Sequence, residues 1–280
     1  MHQQRNFICA AALLLLALPL ASARADVTSD KARDVFKKYQ RAVVTLQESI
    51  KATAAGGQSG EFNLEITGTV IDPSGLTVVA LSSCDPYELR RRISPDSKIE
   101  SEVSNVRILT EDGDMPAEIV LRDRDLDLAF IRPKTKPTSP MPAVDLSNAG
   151  TAQVLDEVVA LNRLNRVASR AYSASVERIT AVIQKPRTFY IPDSTMTTTA
   201  SGSPAFTTDG KVIGVFVIRA ITGSSGSRET PYTAIILPSE DILKGAKQAP
   251  EVKPDSEKKE EPKAEPKADA KESKDGAEKK

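Results

Sequence analysis

Short β-branched runs set off by turn residues constrain this chain more than any other feature. Ala42–Leu46, Phe62–Ile66, Leu76–Leu81, Val106–Leu109, Leu126–Ile131, Val158–Leu161 and Val212–Ile218 are all rich in Val, Ile and Leu and too short for a globular helix. Asp72-Pro73-Ser74-Gly75, Glu111-Asp112-Gly113 and Thr208-Asp209-Gly210 carry the residues a tight hairpin needs. The pattern predicts an all-β chain of antiparallel hairpins rather than βαβ units. One helix is expected near the start, over Lys31–Tyr39, with Val27-Thr28-Ser29-Asp30 as its cap and Ala32, Val35, Phe36 and Tyr39 on its apolar side. Pro133, Pro137, Pro140 and Pro142 make a stiff connection that cannot be a central strand. It divides the folded part, residues 26–246, into a first barrel over about 40–132 and a second over about 143–246.

The two ends differ in kind from this middle. Arg5, the apolar run Ile8–Ala21 and the Ala23-Arg24-Ala25 site read as a secretory signal peptide over residues 1–25. The run is shorter than the ~20 residues a membrane-crossing helix needs, so an exported protein without stable membrane insertion is expected, in the periplasm or secreted. Residues 247–280 are dominated by Lys, Glu, Asp and Pro and cannot bury enough apolar surface to order themselves, so they read as a disordered tail dispensable for folding. The tail serves either as a solubilising extension or as a tether to a partner.

Loss of the first 25 residues removes Arg5 and Arg24 from 38 basic side chains and nothing from 38 acidic ones, leaving 36 against 38. That balance gives no footprint for nucleic acid. Arg90-Arg91-Arg92 reads as a solvated loop. The same cleavage removes His2, the only histidine, and Cys9, which leaves Cys84 as a single thiol. An internal disulfide is then impossible, zinc ligands are nearly absent, and no metal or other cofactor is expected. Asp123, Asp125 and Asp127 imitate the start of a calcium loop, but Leu128 stands where the loop needs glycine and Lys134 where it needs an acid.

Five segments in order resemble the trypsin-like serine proteases, and among them the exported HtrA (Deg) family. Thr67–Val79 resembles the hairpin leading to the family's catalytic histidine, Val106–Val120 its next hairpin, and Arg122–Ile131 the strand carrying its aspartate. Val154–Leu161 and Thr199-Ala200-Ser201-Gly202-Ser203-Pro204 complete the order, and the charged tail replaces the PDZ domain that would follow. The resemblance implies two trypsin-like barrels. It places the aspartate at Asp127, the nucleophile at Ser201, the oxyanion-hole N–H groups at Thr199 and Ser201, and the histidine position at Ser82, within one residue.

A serine hydroxyl needs a base to take its proton, and in this fold the base is an imidazole held by a buried aspartate. With no histidine left after Ala25, the expectation is a vestigial site: a pseudoprotease that holds an extended peptide or unfolded protein in the inter-barrel cleft. Ser201 then reads as a turn serine bonded to its own backbone. Asp127 reads as a vestigial triad member or as a strand-end residue satisfied by backbone donors. The alternative is an active serine endopeptidase with an unusual base, such as Lys185 or Lys211, or with a partner's histidine. Cys84 reads as a small buried hydrophobe or as a redox sensor. The oligomeric state is not legible.

Overall fold

The computed structural model describes residues 27–94, 98–111, 113–193, 201–220 and 232–252. The export segment, Thr199 and the chain beyond Val252 lie outside them. Among the described residues, strands form two closed antiparallel barrels. β1 (Val43–Thr53), β2 (Ser59–Val70), β3 (Thr77–Ala80), β4 (Glu100–Thr110), β5 (Gly113–Asp123) and β6 (Leu128–Pro133) close the first, in the order β1-β2-β3-β6-β5-β4. β7 (Glu157–Arg163), β8 (Tyr172–Ile183), β9 (Phe189–Pro192), β10 (Pro204–Thr207), β11 (Val212–Ala220) and β12 (Tyr232–Pro238) close the second, in the order β10-β11-β12-β9-β8-β7. Among the described residues, four α-helices decorate them: α1 (Val27–Tyr39), α2 (Leu81–Cys84), α3 (Pro86–Ile93) and α4 (Ser239–Ala246).

The runs at β3, β6 and β11 are mostly apolar because their strands are buried on both faces. In β3 and β6, Val79, Ala129 and Ile131 join the core inside the first barrel. Their neighbours Val78, Ala80, Leu128 and Phe130 join a second core shared between the barrels. β11 does the same, sending Ile213 and Phe216 into its own barrel and Val212, Val215 and Val217 into the shared core. With period-two side chains and apolar surroundings on either side, nearly every position in the middle of such a strand is apolar. Fully burying a side chain the size of Phe130 stabilises the fold by roughly 2–3 kcal/mol.

The described helix spans Val27–Tyr39, so Thr28–Asp30 lie within it rather than capping it. Asp30 there opposes the positive end of the helix and pairs with Arg33 at 2.6 Å. Tyr39 stacks on Phe206 with centroids 4.5 Å apart and donates its hydroxyl to the Gly210 carbonyl at 3.2 Å. α1 therefore grips the second barrel just before the chain enters the first. The proline-rich connection returns along the first barrel, where Met141 N–H donates to Pro73 O and Val144 N–H to Val70 O. It delivers Val144 and Leu146 to the shared core.

Composition places the start of the tail at residue 247, and the structure moves it later. Arg132 on β6 is buried, and its Nε donates to Pro250 O at 2.9 Å and its Nη2 to Ala249 O at 3.4 Å, with Glu251 Oε1 at 3.1 Å. Ala249 is itself in the shared core. Residues up to Val252 belong to the fold because a buried guanidinium needs their carbonyls. A chain ending at Lys247 should be less stable than one ending at Val252 by about 2–3 kcal/mol, read from urea unfolding midpoints; equal midpoints would show that Arg132 does not depend on these acceptors.

Candidate functional site

Between β3 and β6 the two barrels meet around one carboxylate. Asp127 ends the loop before β6 in a left-handed backbone, φ +59°, a conformation that Asp tolerates better than most residues. Its carbonyl accepts from Leu81 N–H at 2.9 Å, which ties it to the turn that carries Ser82. Its side chain is 2% exposed. Oδ1 accepts from Ser82 N–H at 2.9 Å and from Arg92 Nη2 at 2.5 Å. Oδ2 accepts from the Ser82 hydroxyl at 2.8 Å and from Ile218 N–H, across the seam on β11, at 2.9 Å. A carboxylate offers about four lone-pair sites, and here each is taken. Burial pushes the carboxyl above its usual range, while Arg92 and the other donors pull it back.

Arg92 was not legible as part of this site. The Arg90–Arg92 run is not a solvated loop but the last turn of α3, begun by Asp85 as cap, accepting from Tyr87 N–H at 3.0 Å, with Pro86 at the first position. The helix swings Arg91 onto Asp85 at 3.0 Å and Glu88 at 2.6 Å, and Arg92 onto Asp127. The signal that could have found it is Asp85-Pro86-Tyr87-Glu88, a helix-start pattern with an acid at the third helical position.

Ser82 and Asp127 are brought together, and Ser201 is not bonded to either. Ser201 is 0% exposed and its Oγ has no hydrogen-bond partner among the described residues, which corrects the expectation of a turn serine bonded to its own backbone. Its two successors in the chain hold it in place. Gly202 N–H donates to Phe216 O at 2.8 Å, and Phe216 N–H donates to Ser203 O at 2.9 Å. Gly202 has φ +92°, its carbonyl accepts from the Thr69 hydroxyl at 2.8 Å, and a Cβ there would lie 2.2 Å from Thr67 O. Only glycine allows the second barrel to approach β2 so closely. Ser203, where the family has glycine, donates its hydroxyl to Asn162 Oδ1 at 3.2 Å, and that oxygen also accepts from Thr67 Oγ at 3.0 Å and Arg163 N–H at 2.8 Å. Arg170 clamps Glu65 through Nε at 3.1 Å and Nη2 at 2.6 Å, adding a bidentate link across the seam. Lys185 and Lys211 are both exposed, and Thr199 lies outside the described residues.

The profile of the trypsin-like peptidase domain matches residues 66–215, more than half of the 280 residues and the span containing Ser82, Asp127 and Ser201. The chain belongs to the trypsin-like peptidase family. Among solved structures it is similar to the protease domain of MamO from Magnetospirillum magneticum in its apo form, at 17% identity and a TM-score of 0.47, over 75% of this chain and 98% of that one. No curated protein matches the chain. In a trypsin-like peptidase the aspartate holds an imidazole that takes the proton of the serine. Here Asp127 holds Ser82 and the Arg92 guanidinium. The sequence's single histidine, His2, lies outside the described residues.

A second buried acid sits inside the first barrel. Glu48 on β1 is 1% exposed, accepts from Cys84 Sγ at 3.2 Å through Oε2, and leaves Oε1 without a partner. Desolvation raises its pKa to about 8, against the opposing Cys84 hydrogen bond and the Arg122 charge; Asp85 adds to the rise. Cys84 is thus a buried thiol bonded to a carboxyl, and its own pKa is pushed well up by burial and by Glu48. Because Glu48 keeps its proton longer in the folded state, its contribution is fully present below about pH 4.5 and is lost as pH rises towards 8. Unfolding free energy should fall over that window by several kcal/mol, and Glu48→Gln should flatten the fall, measured by urea unfolding at a series of pH values. An unchanged slope in the variant would show that Glu48 is not the protonated group.

Proposed function

We propose that this protein is an exported, HtrA-like member of the trypsin-like peptidases that holds extended peptide segments in its inter-barrel cleft without hydrolysing them. The observation that carries the reading is the saturated Asp127 carboxylate: with Ser82, Ile218 and Arg92 on its oxygens, it has no acceptor site left to orient a base. A nucleophile must be reached by substrate and deprotonated, and the buried, unpartnered Ser201 hydroxyl supports neither event. The exposure of Lys185 and Lys211 weighs against a Ser-Lys pair, which needs a desolvated lysine. The export part of the reading rests on Arg5, the run Ile8–Ala21 and the Ala23–Ala25 site.

Binding is favoured by a stretch of β11 that pairs on one side only among the described residues, where Ile218 N–H is held by Asp127. β10 pairs with β11 only as far as Val215, whereas Val217, Ile218, Arg219 and Ala220 pair with β12 on the other side. An extended peptide can add to that edge by main-chain hydrogen bonds, without any chemistry. Incubated with an activated fluorophosphonate, the purified protein should show no adduct by intact mass and should leave casein whole. An adduct or cleavage that Ser201→Ala abolishes would overturn the non-hydrolytic reading.

A further inference from the structure

Next to the open edge of β11 lies a cleft of about 180 Å³ whose lining is of two kinds. Its apolar part includes Val217, Ile235 and Leu237, all nearly fully buried. Its polar part is Arg92, Arg124 and Arg219, with Asp125 as the one acid. Two of these guanidinium groups already hold a carboxylate: Arg92 holds Asp127 at its first-barrel wall, and Arg124 holds Glu88 at 2.7 Å. Arg219 lies over the Phe189 ring, 5.4 Å from its centroid, and is in ion-pair range of no carboxylate among the described residues. Each guanidinium carries five N–H donors, so one carboxylate leaves donors to spare.

On the reading that an extended peptide adds to the β11 edge, we propose that this cleft selects a peptide bearing a single carboxylate on an aliphatic stem, a glutamate side chain, with Arg219 as its specificity-determining partner. The apolar lining suits the methylene stem, and the guanidinium at the rim suits the planar carboxylate bidentately. Arg92 and Arg124 are already paired, so among the described residues Arg219 is the one unpaired guanidinium of the cleft, a match for one carboxylate rather than for the two charges of a phosphate. Side chains alternate along an added strand, so one residue in two faces the cleft and a single position suffices.

The test uses the full chain and short blocked peptides of Ser, Thr and Val that carry one Glu at each position in turn, each with its Gln twin, followed by fluorescence anisotropy. At one position the Glu peptide should bind about tenfold tighter than its Gln twin, and Arg219→Gln should erase that difference. Equal binding of every Glu and Gln pair, or a preference that survives Arg219→Gln, would overturn the glutamate selectivity while leaving peptide binding intact. Failure of all the peptides to bind would overturn peptide binding and this inference together. A phosphoserine peptide binding tighter than the Glu peptide would overturn the assignment of a monoanion.

Discussion

A carboxylate shut between two barrels must find its donors within the protein, and the arrangement around Asp127 follows from that requirement. An unpaired buried charge would cost several kcal/mol, so each oxygen of Asp127 draws in two donors. Those donors come from three places: the Ser82 turn after β3, the end of α3, and β11 of the other barrel. Satisfying one side chain therefore fixes how the helix sits on the first barrel and how the second barrel meets it. In a working trypsin-like peptidase the same carboxylate would hold an imidazole and stabilise its protonated form. A permanently charged guanidinium meets the electrostatic need of the aspartate equally well but cannot accept a proton from serine. The seam therefore needs no imidazole on Asp127 to be stable.

The first barrel places its other charges by the same rule. Arg91 is shared between Asp85 and Glu88, Arg124 reaches Glu88 from the loop before β6, and Arg132 is held by the carbonyls of Ala249 and Pro250. Glu48 is the exception. It has only a thiol donor, so it is held neutral by burial instead of being paired. The seam between barrels also depends on small residues: Gly202 lets the second barrel reach β2, and Ser203 adds a hydroxyl to the Asn162 hub instead of opening the loop. The cleft beside β11 inherits its cationic rim from Arg92 and Arg124, side chains placed by these interior demands, and Arg219 is the one left over.

Much of the architecture could be read from residues because burial on both faces leaves an unambiguous trace. Leu76–Leu81 and Leu126–Ile131 are apolar but for Thr77 and Asp127 since they separate two cores. β8 leaves no such trace: Ser173, Ser175 and Glu177 alternate with Tyr172, Ala174 and Val176, and none of the six is buried. β10 is four residues long and starts at a proline, too little to stand out from a loop. In the site, the Ser82 and Asp127 neighbourhood came with the family resemblance, because a contact 45 residues apart has no local signature. Arg92 was hidden by its company, since three arginines in a row suggest solvent unless the helix cap before them is noticed. Glu48 was readable in principle: it stands at the inward phase of Leu46, Glu48 and Ile50, where a period-two strand places a core residue.

Most depends on Arg92 having become the charge partner of Asp127. A double-mutant cycle over Arg92→Leu and Asp127→Asn, read from urea unfolding, tests this without reference to any substrate. Strong coupling is expected, on the order of 2 kcal/mol or more, with the double variant more stable than the sum of the single losses would allow. Single-variant losses that add to within about 0.5 kcal/mol would contradict the pairing, because Asp127 would then be held by its backbone and serine donors alone.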